Sequence, residues 1–507
     1  MNNRKLKKIL RQNAVGGDMT RQSRTSHTVL RRLTQVAACL LVVCLIGVGY
    51  VTLVRFVGRP DDGGNGPGTN PSHGGLSEDP ADTSGDAAPG SESTTDSQTA
   101  PSTTSDYKPS GTDLRGTVIN ILAIDSGYVR ELGGDDLKGE SLNDSLYMRR
   151  ENVTQALGCA IRISYAESKT AFVNEVKNRV MAGDIENMLA AAHSDSIMAL
   201  TTINALTELN KTTGVNIKSE AWNPEIVETL SIKGNLYFVT GHISPNATLS
   251  QKFLVGNKGL MEAAGLSYSD AIKLVNEAKW TLEAVLALSK NATGTVLGLN
   301  GEHDAALLAN GAGIRLADNN TLSLSSDWSG SITKLCALLS GFDTGVIATK
   351  DATLDNSMFS LCDMGTVMSS RDSTYDYLHI LPLPTLEETG DYRAPIGAAA
   401  FFYAIPRQYG ADTVSTVLQS MAEDDTIEKQ FLPVIKARHT TLDESAGMLD
   451  LVIDNTAFSL DSMLGLCDNP TFTNIIGSGE GADALIEQSR RLTETRLRTI
   501  AVNFAAR

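Results

Sequence analysis

Beyond residue 115 the apolar positions follow two rhythms in turn. VINILAI at 118–124 is a short apolar run rich in β-branched residues, which predicts a buried strand. A helix is expected over 142–158, and AIRISYA at 160–166 reads as a second strand. In FVNEVKNRVMAGD (172–184), Phe172, Val173, Val176 and Val180 recur at helical spacing, and Gly183 stops the helix. NMLAAA at 187–192 makes a third strand. This alternation is the rhythm of a parallel sheet covered by helices.

Helix starts are well marked further on. In AWNPEIVETL, Asn223 suits the N-cap, Pro224 the first helical position, and Trp222 a staple onto Val227. In KWTLEAVLALSK, Thr281 suits the cap and Trp280 a staple onto Val285. TVLGL (295–299), GTVMSS (365–370) and AAAFFYAIP (398–406) are expected as later strands. About 393 residues of α/β pattern are too many for one sheet core, so two lobes are expected.

The first 114 residues belong to other environments. Val36 to Val54 is a run of nineteen uncharged residues. As a helix it would span about 28 Å, close to the hydrocarbon thickness of a bilayer, so a transmembrane helix is expected over 35–57. Nine Lys or Arg precede it, and only Arg55 and Arg59 closely follow. That bias places a basic segment, 1–34, in the cytoplasm and the rest of the chain outside the cell, in a single pass. VAAC at 36–39 resembles a lipoprotein cleavage box, but the apolar stretch follows its cysteine instead of preceding it. An uncleaved signal-anchor is therefore expected. Gly, Pro, Ser, Thr and Asp dominate 58–114, which predicts a disordered tether with an end-to-end distance of roughly 40 Å.

The net charge of −16 excludes a chain built mainly to neutralise nucleic acid. Cys159, Cys336, Cys362 and Cys467 are scattered with no C-x-x-C pair, and are expected as buried free thiols.

Several segments in the body carry a family resemblance. VMAGD (180–184), IKGNLYFVTG (232–241), NKGLMEAAGL (257–266), KWTLEAVLALSK (279–290), ILPLPTLEETGDYRAPIG (380–397) and ARHTTLDESAGMLDLVID (437–454) stand in order. The chain there resembles the extracellular solute-binding proteins of ABC importers, in the class that includes many sugar binders. NML stands at the third strand, where that family usually has an Asp and a DLV-like run. The resemblance implies an α/β, two-lobed, periplasmic-binding-protein-like fold over 115–507, with hinge crossings near 240–244, 393–397 and 438–442. Lobe one would comprise 115–241 and 397–440, and lobe two 242–396 and 441–507. A small polar solute, a carbohydrate by family association, would be gripped between them and passed to a permease in the membrane. The alternative is a membrane-anchored sensor or scaffold using the same fold.

Candidate ligand contacts follow from strand ends and crossings. Asp125 and Ser126 follow the first strand, His193 and Ser194 the third, and His242 lies in the first crossing. Glu302 follows TVLGLN, and Arg371 follows GTVMSS, where it would favour an anionic or hydroxyl-rich ligand. Trp328 opens a helix at SDWSGSITKL and could cover a sugar face. Trp222 and Trp280 are expected as structural staples. Enzyme motifs fail: neither H-E-x-x-H nor G-x-S-x-G occurs, and Ser331–Lys334 matches S-x-x-K without S-D-N or K-T-G. GSGEGA at 477–482 puts Glu480 where a pyrophosphate would sit. His193, His242 and His303 lack paired metal spacing. No enzyme activity, cofactor, metal or nucleic-acid partner is expected.

Overall fold

The computed structural model describes residues 112–504, apart from 293, 300–313, 317–321, 325–327, 341–346, 349–352, 370–377, 441–442, 459 and 461–481. The expected membrane span and nearly all of the tether lie outside the described residues. Among the described residues, no helix is long and apolar enough to cross a membrane.

The chain opens with β1 (Val118–Ile124), α1 (Ser141–Leu157), β2 (Ala160–Ala166), α2 (Lys169–Ala182), β3 (Met188–His193) and α3 (Ser194–Thr202). α4 (Pro224–Leu230), β4 (Phe238–Val239), α5 (Pro245–Leu249) and β5 (Lys252–Gly256) lead into the second half. There α6 (Lys258–Ala263), α7 (Tyr268–Asn276), α8 (Leu282–Ala287), β6 (Thr295–Gly298), β7 (Ile314–Leu316), β8 (Leu322–Leu324) and α9 (Trp328–Ser340) follow. After β9 (Ile347–Ala348), β10 (Ser357–Asp363), α10 (Met364–Ser369), β11 (His379–Leu381) and β12 (Ala394–Pro395), the chain returns through β13 (Phe401–Ala404) and α11 (Ala411–Glu423). It finishes with α12 (Leu432–His439), α13 (Asp443–Asp454), β14 (Thr456–Ala457) and α14 (Ala482–Asn503).

Local chemistry sets these bounds. Ser168 accepts the Ala171 N–H at the start of α2, and Gly183, at φ 67°, closes that helix in the left-handed region glycine tolerates. Asn223 accepts from the N–H groups of Glu225 and Ile226, with Pro224 at the first helical position. Thr281 accepts the Ala284 N–H to start α8.

Two five-stranded sheets result, each with its own core, beside the two-stranded pairs β12–β14 and β7–β8. The first has the order β2-β1-β3-β13-β4 and the second β11-β5-β10-β6-β9. β1 runs parallel to both β2 and β3, with Asn120 opposite Arg162 and Met188. β13 reverses direction against β3 and places Phe401 opposite His193. Ile121, Phe172, Leu189, Phe401 and Tyr403 fill the first core. Phe253, Trp280, Val285, Phe359 and Ile380 fill the second.

Three expectations need correction. GTVMSS is not a strand: residues 364–369 form α10, and the strand is the preceding SMFSLCD, β10, whose residues are all buried. A run buried on both faces shows no alternation, so its apolar content spills past its true end. The segment 427–440 does not stay with the first lobe, because Ile427, Phe431 and Ile435 pack into the second core. The third passage between cores is thus near Asp424–Thr426, not 438–442. Nor does the C-terminal region belong wholly to lobe two. Ile486 of α14 packs in the second core, whereas Leu497 and the following Phe504 pack in the first.

The described cysteines, Cys159, Cys336 and Cys362, are buried, and Cys159 and Cys336 are free thiols. Cys467 lies outside the described residues.

Candidate functional site

Four of the eight candidate residues come together where β1 and β3 end. Ser126 Oγ lies 2.8 Å from His193 Nε2. On its other side His193 Nδ1 is 3.3 Å from the carbonyl of Ala400, and the ring packs at 4.4 Å on Phe401. A carbonyl can only accept, so Nδ1 carries the proton and Nε2 accepts from the Ser126 hydroxyl. Burial lowers the His193 pKa from its ordinary value, which keeps the ring neutral and this polarity fixed. The serine oxygen is left with lone pairs to offer a donor. Ser194 and Asp195 begin α3, and Asp195 pairs with Lys169 at 2.6 Å. Asp125 is held by Arg130 through two 3.0 Å hydrogen bonds, and the guanidinium lies 4.8 Å from the ring centre of Tyr165.

Two of the others, His242 and Trp328, are described and are not brought to this cluster. His242 is half-exposed in the first crossing, with Nδ1 3.5 Å from the Glu428 carboxylate. Trp328 is buried in the second core, beside a separate cavity it shares with Leu324, Arg490 and Arg498. Glu302 and Arg371 lie outside the described residues, and Arg371's rationale is weakened because the strand before it ends at Asp363. Trp280 and Trp222 are buried; they donate their indole N–H groups to the Pro382 carbonyl and to Gln419, both at 2.9 Å. They have no open face for a sugar.

The loop after β1 supplies residues that the sequence reading missed. It leaves the first sheet and lays Tyr128 and Val129 on the second core, where Leu142 and Leu146 of α1 follow them. Tyr128 donates its hydroxyl to Asp363 Oδ2 at 2.8 Å, and Lys252 donates to the same oxygen at 2.7 Å. The Thr366 N–H donates to the other carboxylate oxygen at 2.7 Å. Asp363 ends β10 and Lys252 opens β5, directly opposite in the ladder. The pair is buried, with side-chain exposures of 10% and 2% for Lys252 and Asp363. The Tyr128 ring lies against Gly365, where a Cβ would fall 2.1 Å from the ring. Burial, with Asp363 next in effect, pushes the Tyr128 phenol up to about 12.

Behind the loop lies a buried polar network. Glu131 has no solvent exposure. It accepts from the Tyr403 hydroxyl and from the Asn246 amide, both at 2.8 Å. Asn246, in α5 directly after the first crossing, also accepts the Tyr128 N–H at 2.8 Å and donates to the Val129 carbonyl at 2.9 Å. Arg149 donates to the Ile243 carbonyl at 2.8 Å. Burial raises the Glu131 carboxyl to about 7 against the lowering effect of these donors. The crossing and the loop are therefore fastened to each other.

Between this loop and the second lobe is a cavity of about 600 Å³. One wall holds Tyr128, Arg130, Lys138, Glu140 and Leu142, and the other Met368, Phe431, Ile435 and Arg438. Its size falls within the roughly 300–1,000 Å³ usual for small-molecule sites. The first turn of α1, which has no side-chain cap, lines the same space. Among the described residues no cluster of His, Cys, Asp or Glu could hold a metal ion.

No family model matches the sequence, and no curated protein matches it. Solved structures do match the fold. A cyclic alpha-maltosyl-1,6-maltose binding protein from Arthrobacter globiformis aligns at TM-score 0.50 and 11% identity, over 76% of this chain and 99% of that one. An extracellular solute-binding protein of family 1 from Alicyclobacillus acidocaldarius aligns at TM-score 0.46 and 11% identity, over 76% and 98%. The galacto-N-biose-/lacto-N-biose I-binding protein of an ABC transporter from Bifidobacterium longum aligns at 0.47 and 8% identity, over 76% and 98%. The structural neighbours of this chain are extracellular solute-binding proteins, and it shares their mixed α/β, two-lobed fold.

Proposed function

We propose that this protein captures a small carbohydrate outside the cell, between its two lobes, and delivers it to an ABC importer while tethered to the membrane by residues 35–57. The observation that carries the reading is the cavity of about 600 Å³ walled by a first-lobe loop and second-lobe helices. A solute held there touches both lobes only when they are together, so binding selects the closed arrangement. Moving an open:closed ratio from 1:99 to 99:1 takes about 5.5 kcal/mol of differential binding, and a micromolar ligand supplies about 8 kcal/mol in all. The chemistry is capture alone. Ser126 and His193 are within hydrogen-bond reach, but the third partner is the Ala400 carbonyl, where a hydrolase places a carboxylate. The fold likeness to a maltosyl-maltose binder supports a sugar as the solute class.

Thermal unfolding against a panel of mono- and oligosaccharides tests the reading. A ligand at 100 times its Kd adds about 2.7 kcal/mol, and a body this size should then melt about 3 °C higher. A panel with no shift would remove the proposal. Delivery and anchoring are tested separately, by co-purification with a permease from membranes and by the mass of the mature chain.

A further inference from the structure

The charged groups around the cavity are unbalanced. Four charged side chains line it: Arg130, Lys138, Glu140 and Arg438. Arg130 is neutralised by Asp125 in a two-pronged pair. Among the described residues, Lys138 and Arg438 have no ion-pair partner, and Glu140 is the one carboxylate among the residues lining the cavity. This occurs in a chain of net charge −16, where a surplus of cations is not the background condition.

The two cations come from opposite walls. Arg438 is in the last turn of α12, on the second lobe. Its neighbour Lys436 is already paired with Asp450. Lys138 is on the loop after β1, and that loop is braced. The backbone N–H groups of Lys138 and Gly139 donate to the Asp144 carboxylate at 2.8 and 3.0 Å. Asn143 accepts the Gly134 N–H at 2.7 Å, and Arg150 donates to the Gly134 carbonyl at 3.0 Å. Nothing in this bracing uses the ammonium itself.

We propose that the solute carries a negative group, a carboxylate or phosphate on a sugar, that sits between Lys138 and Arg438. This rests on the capture reading above and names the class of solute. Two cations on opposite lobes would repel each other as the lobes close, and an anion between them turns that repulsion into attraction at both walls. Arg438 offers a fork that matches either oxyanion, and Lys138 a movable point charge. Glu140 is left to accept from sugar hydroxyls, and Leu142 and Met368 to cover C–H faces.

Titration calorimetry on the full-length chain in mild detergent tests this, with matched probes. These are glucose, glucuronate and glucose 6-phosphate; galactose and galacturonate; and inorganic phosphate alone. An acidic sugar should bind about tenfold or more tighter than its neutral parent. The double variant Lys138→Gln, Arg438→Gln should abolish that advantage, bringing each acidic sugar to the affinity its neutral parent shows for the same variant. Added salt should weaken only the acidic member. Preference for glucuronate or galacturonate identifies a carboxylate, and preference for glucose 6-phosphate a phosphate. Neutral sugars binding as tightly as acidic ones, or an acidic preference that survives the double variant, overturns the assignment and leaves carbohydrate capture standing. Inorganic phosphate binding alone overturns it too, and a panel in which nothing binds overturns both.

Discussion

Replacing Tyr128 by Phe removes one atom from the contact between the lobes and nothing from either core. The lost bond is the 2.8 Å donation from the phenol to Asp363. A hydrogen bond to a charged group contributes about 1.5–3 kcal/mol. Asp363 keeps Lys252 and the Thr366 N–H, so it is not orphaned, and the low end of that range applies. The loss falls on closure rather than folding, because the bond runs from the β1 loop to the end of β10. About 1.4 kcal/mol is a tenfold change in the closed:open ratio. Gly365→Ala reaches the same contact from the other side, since the added methyl would lie 2.1 Å from the Tyr128 ring. Alanine is the better helix former by about 1 kcal/mol, so α10 itself should gain. Probes at exposed Lys177 and Glu283, one on each lobe, should report a population at longer separation in both variants, with solute affinity falling about tenfold. Unchanged distances together with a lowered unfolding midpoint would refute the reasoning, since the bond would then serve the fold.

Four further outcomes are expected. Glu131 is held near pH 7 in the folded chain and near 4.5 when unfolded, so the native state binds the extra proton between those values. Stability should therefore fall as pH rises from about 4.5 through 7 and level off above. Glu131→Gln should flatten that slope in urea titrations, and an unchanged slope would clear Glu131 of the effect. Lys252→Met leaves the Asp363 charge buried with neutral donors, and should cost about 3–5 kcal/mol in denaturant unfolding. Trp280→Phe should lower stability, through the lost bond to Pro382, while leaving solute affinity untouched; a fall in affinity would place the ring at the ligand. Ser126→Ala should weaken capture and lower the melting temperature slightly through the lost bond to His193, and equal affinity in calorimetry would keep the Ser126–His193 cluster out of the site.

Local signals made the fold readable. β1 and β2 fall at 118–124 and 160–166 as the apolar runs indicate, and Gly183, Asn223 and Thr281 end or start helices as their side chains dictate. β10 escaped because a strand buried on both faces loses its alternation, and α10 was absorbed into it. The lobe boundaries were less legible for a different reason: which core claims Ile427 or Leu497 depends on contacts far along the chain. The site divides the same way. Strand ends pointed to Ser126 and His193 as ligand contacts, and the structure joins these two side chains to each other. Tyr128, Glu131, Lys138 and Arg438 carry no local mark. Asp363 could have been suspected as an acid closing an apolar run, and Lys252 as a base opening one.

The last helix, α14, sets a mechanical condition on everything proposed above. It is stuck by Ile486 to one lobe and by Leu497 to the other, and the Phe504 carbonyl just beyond it accepts from Asn235 at 3.0 Å. A stiff rod glued at both ends resists any swing that would bend it or tear a seat loose. The mouth of this molecule should consequently part only as far as one of those two seats can slip.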